Sequence, residues 1–103
     1  MYKVMYLPIA RRDLEGIIGY IADFEKEPIN ALSLLDAFDK AIGRLEHFPY
    51  SCQVYMPIRA IEYEYRILPV KGYGVYYTIY EEKKIVEIHR VLSQRMDVPN
   101  IIE

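Results

Sequence analysis

Arg66, Arg90, Arg95 and His89 stand among strand-like residues in the last third of the chain. Arginine neutralises charge developing on a phosphate and histidine moves protons, so these are residue types that cleavage of a phosphodiester needs. Each also has a plainer reading. His89 is either a general acid or RNA contact on the face opposite the core, or an ordinary cross-strand polar residue. An isolated histidine rarely finds catalytic partners, which favours the second. Arg90 falls on the apolar face of its strand with Val86, Ile88 and Leu92, where an unpaired guanidinium would be costly. It is a structural arginine paired with a carboxylate such as Glu62 or Glu64, or a phosphate contact in a groove. His47, beside Phe48, suits a helix end, where the dipole favours it. The two histidines and the single cysteine, Cys52, have no metal-site spacing, and neither a metal nor another cofactor is expected.

Tyrosine is over-used: of 11 residues, eight fall between positions 50 and 80. β-Propensity in a half-buried sheet explains part of this. Tyrosine also joins apolar area to a hydrogen-bonding tip, which suits protein interfaces, and it can stack on unpaired bases. Tyr76 and Tyr80, on the less apolar face of their strand, are assigned to a partner. Net charge is −2, from 13 basic and 15 acidic residues, divided 6 against 8 up to residue 49 and 7 against 7 beyond it. That sum carries no phosphate-binding footprint, so a protein target fits at least as well as a nucleic acid. No stretch approaches the ~20 apolar residues that span a bilayer, and the first residues lack the pattern of a signal peptide. Cys52 alone forms no internal disulfide, which fits a reducing cytoplasm; no membrane partner is expected.

The 103 residues suffice for one domain, 1–103. Residues 2–7 alternate as a strand, and Pro8 suits the start of a helix. Leu14, Ile17, Ile18 and Ile21 make one apolar stripe of that helix, which runs to about residue 25. Glu27-Pro28 breaks it. Asn30 is a candidate N-cap for a second helix carrying Leu35, Phe38, Ile42 and Leu45 and ending near Phe48. A connecting segment covers 49–61. Strands are expected at about 62–70, 73–80 and 84–92, with Lys71-Gly72 and residues 81–84 as turns. The order β-α-α-β-β-β predicts an α+β domain, a helical hairpin packed on one face of a mainly antiparallel sheet.

Tyr65-Arg66-Ile67-Leu68-Pro69-Val70, then Tyr76-Tyr77, then Val86-Glu87-Ile88-His89-Arg90-Val91-Leu92 ending in Arg95-Met96-Asp97, resembles the RelE/ParE superfamily of toxins from type II toxin–antitoxin systems. The match is closer to the ParE branch. The resemblance implies the same fold and a toxin of the plasmid-stabilization kind, neutralised by a cognate antitoxin whose flexible, helical C-terminal part docks on hairpin and sheet. RelE-like members are ribosome-dependent mRNA interferases, that is, endoribonucleases; ParE-like members inhibit DNA gyrase. The nuclease pattern fits poorly. Its lysine pair falls on Arg66 and Leu68, its arginine after Gly-Tyr falls on Gly74, and its C-terminal basic residue falls near Gln94 or Arg95. A histidine often seen in ParE-like sequences falls on Ser93. The resemblance therefore implies a gyrase inhibitor without an active site of its own, with Arg66, Tyr76, Tyr80, Arg90 and Arg95 binding target or partner. The alternatives are an interferase using Arg66, His89, Arg90 and Arg95 on ribosome-bound mRNA, and a degenerate toxin kept as an antitoxin-binding module.

Overall fold

Prolines set several element boundaries in the computed structural model, which describes all of residues 1–103. Pro8 follows β1 (Lys3–Tyr6) and opens α1 (Pro8–Gly19), where its missing N–H has no intrahelical partner to lose. α1 widens into a π-helical turn, Tyr20–Phe24. Lys26 reverses the chain in the left-handed region, at φ 56°. α2 (Pro28–Gly43) begins at Pro28, ahead of the expected cap Asn30; Glu27 holds the cap position and makes no side-chain capping bond. Two 3₁₀ turns follow, Arg44–Glu46 and Pro49–Ser51.

The remaining elements are β2 (Gln53–Val54), β3 (Arg66–Val70), β4 (Tyr73–Tyr80), β5 (Ile85–Ser93) and α3 (Val98–Ile102). β3 starts later than the expected residue 62, and β2 and α3 are additions to the expected order. The sheet runs β1-β5-β4-β3-β2, with β1 parallel to β5 and every other pair antiparallel. Lys71 and Gly72, at φ 49° and 84°, form the two-residue β3–β4 turn, a geometry whose twist matches that of paired strands.

The helical hairpin covers one sheet face. Ala10 of α1 and Phe38, Ala41 and Ile42 of α2 meet Leu68, Val70, Val75, Tyr77, Val86, Ile88 and Val91 there. Tyr77 is fully buried, and its hydroxyl donates to the Pro49 carbonyl at 2.6 Å. At the sheet's surface edge Glu81 accepts hydrogen bonds from Lys84, Tyr2 and Tyr50. These donors, Lys84 first, pull its carboxyl down to about 2.

A bulge decides what β5 presents to each face. Tyr76 lies opposite Arg90 and Tyr77 opposite Ile88, so His89 is an extra residue in β5. Alternation is reset there: Val86, Ile88 and Val91 face the helices, while Leu92 joins Tyr65 and Tyr76 on the other side. Strict alternation predicts Val86, Ile88, Arg90 and Leu92 on one face; the bulge instead moves Leu92 to the opposite face and sets Arg90 across from Tyr76.

Candidate functional site

The bulge and the C-terminal helix together distribute the arginines, histidine and tyrosines singled out in the sequence. Arg66 is half-buried on the helix side of β3. Its Nη1 donates to the carbonyls of Cys52 at 2.7 Å and Tyr50 at 3.3 Å, and its guanidinium lies 5.1 Å from the Tyr50 ring centroid. It fastens the loop that leads into β2.

Arg90 of β5 meets Asp13 of α1. Nε donates to Oδ2 at 2.7 Å and Nη2 to Oδ1 at 3.0 Å, and the Val91 N–H also donates to Oδ2 at 3.0 Å. The pairing raises the guanidinium's pKa further above its ordinary value, the hydrogen bonds to Asp13 being the largest cause. The partner carboxylate is therefore Asp13, not Glu62 or Glu64. The reason is proximity: α1 packs directly on β5, and the Arg90 guanidinium reaches Asp13 there.

His89 lies with Tyr65 on the sheet face away from the helices and is 5% exposed. Its Nε2 lies 2.7 Å from Glu87 Oε1 and its Nδ1 3.2 Å from the Tyr65 hydroxyl, with the Tyr63 and Tyr65 rings edge-on to it. Tyr80 donates to the same Glu87 oxygen at 3.2 Å. If the imidazole carries its proton on Nε2, Glu87 accepts from it and Tyr65 donates to Nδ1, closing every polar contact. Burial raises the pKa of Tyr65, Tyr76 and Tyr80 above that of an ordinary phenol, so each remains a neutral donor rather than a nucleophile near pH 7.

Tyr76 does not present its ring to a partner: it is 4% exposed, packed with Tyr65 and Leu92 beneath Val98, Ile101 and Ile102. α3 has only five residues and no side-chain cap, so its position depends on outside ties. The Glu103 carboxylate supplies them. It accepts from the Tyr55 hydroxyl, the Arg59 N–H at 2.7 Å and the Ile58 N–H at 3.1 Å, and its side chain is fully buried. Those bonds, Tyr55 first, hold the Glu103 carboxyl below the usual range, while burial lifts the Tyr55 hydroxyl to about 12. Arg59 also donates to the Pro99 carbonyl and to Asn100 Oδ1.

Arg95 lies beyond β5, exposed, with only its backbone N–H engaged, on Ser93 Oγ. Gly74 is packed where the nuclease pattern has arginine: a Cβ there would sit 3.0 Å from the Tyr76 ring. The four residues of the nuclease alternative are thus not one constellation. Arg66 and Arg90 lie on strands separated by β4 and bond to different parts of the protein, His89 is closed between Glu87 and Tyr65, and Arg95 is free at the surface. A pocket of about 280 Å³ beside Tyr65 is lined by Glu62 and Glu103, and a phosphodiester there would meet carboxylates. No three His, Cys, Asp or Glu side chains gather as a metal site. Asp13, Glu87 and Glu103 escaped the sequence reading; the signal available for Asp13 was an arginine on an apolar face that demanded a facing carboxylate.

The architecture is an α+β domain, a two-helix hairpin on a five-stranded sheet, in which Arg66, Arg90 and His89 each bond within the protein. The family model described as ParE toxin of type II toxin–antitoxin system, parDE, matches residues 4–98. The chain belongs to that family, and so is a toxin of the type II kind. Solved structures agree with the fold. The chromosomal ParDE toxin–antitoxin system from P. aeruginosa aligns with TM-score 0.66 at 16% identity, over 90% of this chain and 96% of the other. The toxin–antitoxin complex RelBE2 from Mycobacterium tuberculosis gives 0.58 at 26% identity, over 89% and 96%. A metal-bound toxin from Helicobacter pylori gives 0.63 at 17% identity, over 90% and 94%. No curated protein matches the sequence.

Proposed function

We propose that this chain acts by binding: it inhibits DNA gyrase and is neutralised by a cognate antitoxin, without cleaving RNA. The observation that carries this reading is the occupation of the nuclease positions. Arg66 and Arg90 are committed to backbone carbonyls and to Asp13, Gly74 lies under the Tyr76 ring, and His89 is sealed between Tyr65 and Glu87. Transition-state stabilisation needs donors aimed at a vacant reacting position, and these are aimed at the protein itself. Family membership favours an antitoxin partner, and the near-neutral net charge suits protein targets. Arg95 beyond β5, half-buried Tyr80 and the groove between α1 and β5 lined by Arg90 are the contact groups left accessible. Expression of the chain in bacteria should arrest growth with relaxation of plasmid DNA, and co-expression of the antitoxin should relieve both. Arrest accompanied by rapid mRNA cleavage, with plasmid supercoiling intact, would support the interferase instead.

A further inference from the structure

Residues 55–65 form a compact loop whose ends are joined, the Tyr55 N–H donating to the Tyr65 carbonyl at 2.7 Å. Its crown is fixed from within. The buried Glu103 carboxylate accepts the Ile58 and Arg59 N–H groups, and the Arg59 guanidinium donates to the Pro99 carbonyl and to Asn100 Oδ1. On that frame Met56 and Ile58, either side of Pro57, are 81% and 77% exposed. Met56 borders a hollow of about 490 Å³, lined also by Val54, Tyr63, Glu62 and Glu64. The charges of the loop are unequal in availability. Arg59 is committed to α3 and Glu103, whereas Glu62 and Glu64 are exposed and form no ion pair. The loop thus joins apolar side chains held in water to uncommitted negative charge.

We infer that this loop is the surface by which the chain grips a folded protein target. Met56 and Ile58 enter an apolar recess of that target, and a lysine or arginine at its edge enters the hollow. There the cation pairs with Glu62 or Glu64 and lies against the Tyr63 ring. Projecting apolar anchors need a pocket already formed on the partner, which a folded protein supplies. A flexible segment brings anchors of its own and needs a groove instead. Anchors on a fixed loop also lose little freedom on docking. The inference rests on the reading of this chain as a gyrase inhibitor and commits the loop to gyrase. An enzyme that holds DNA carries lysine and arginine at its surface, because phosphate contacts dominate such binding.

The test measures the affinity of the full chain for purified gyrase and, separately, for its antitoxin, with folding checked by thermal melting. One variant carries Met56→Ser and Ile58→Ser, and a second carries Glu62→Lys and Glu64→Lys. Each should weaken gyrase binding by about tenfold, the loss of a typical interface anchor, and leave antitoxin affinity unchanged. Wild-type binding to gyrase should weaken as salt is raised, and the lysine variant should lose that response. Arg44→Glu, away from the loop, should bind gyrase as wild type does. Should the serine variant misfold, the lysine variant alone decides, since both of its positions are exposed. Wild-type gyrase affinity in the folded loop variants overturns the inference while leaving the gyrase reading intact. Unchanged gyrase affinity with antitoxin binding lost assigns the loop to the antitoxin and also overturns it. Absence of gyrase binding by the wild-type chain fails the underlying reading, and the inference with it.

Discussion

Asp13 of α1 grips Arg90 of β5 at two points, with Nε–Oδ2 at 2.7 Å and Nη2–Oδ1 at 3.0 Å, and accepts the Val91 N–H as well. One carboxylate thereby joins the helical hairpin to the sheet just beyond the β5 bulge. With side-chain exposures of 23% and 15%, the pair is shielded enough to contribute more than a surface ion pair. Asp13→Asn should cost about 2 kcal/mol, the scale of hydrogen bonds to charged groups, and lower the melting temperature by about 10 °C. Arg90→Lys should restore little, because an ammonium cannot reproduce the forked contact. Thermal denaturation checks both; melting temperatures equal to wild type would mean that the pair does not hold helix to sheet.

His89 occupies the bulge as a satisfied structural residue. His89→Ala strands Tyr65 and Glu87, and should destabilise by about 1–3 kcal/mol. The fraction that remains folded should inhibit its target normally. Loss of activity at unchanged melting temperature would return His89 to the working surface.

Gly74 makes room for the Tyr76 ring. Gly74→Arg, which inserts the nuclease-type residue, should cost about 1–3 kcal/mol through overpacking and yield no RNA cleavage. The paired readouts are denaturant midpoint and ribosome-programmed mRNA cleavage.

α3 should loosen in acid. The folded-state pKa of Glu103 is depressed, so its contribution is fully present above the ordinary carboxylate value of about 4.3 and is lost as pH falls through the lower folded value. Amide exchange in residues 98–103 should accelerate in that window before the core opens. Glu103→Gln should show the faster exchange at pH 7. Glu81, held down to about 2, should keep its contacts with Tyr2 and Tyr50 to lower pH.

The strands and the hairpin were legible because their periodicities are long and regular: the Leu14–Ile17 stripe, the Phe38–Ile42 stripe and the alternation of Tyr73, Val75, Tyr77 and Ile79 all face the core as read. What escaped was short or non-local. β2 has two exposed residues and α3 five, too few for any period to emerge. The bulge at His89 cannot be read from β5 alone, since it is a relation to Tyr76 and Tyr77 on the neighbouring strand. It placed Leu92 on the far face, where Leu92 and α3 cover Tyr76. Asp13–Arg90 and Tyr55–Glu103 join residues far apart in the chain, and no local pattern names such partners.

The central claim is that the chain acts by binding gyrase and performs no chemistry on RNA. It is tested most directly by adding the purified, folded toxin to a gyrase supercoiling reaction and, in parallel, to ribosomes programmed with mRNA. The account predicts dose-dependent loss of supercoiling, reversed by antitoxin, with the mRNA intact. Cleaved mRNA at toxin concentrations that leave gyrase fully active would contradict it.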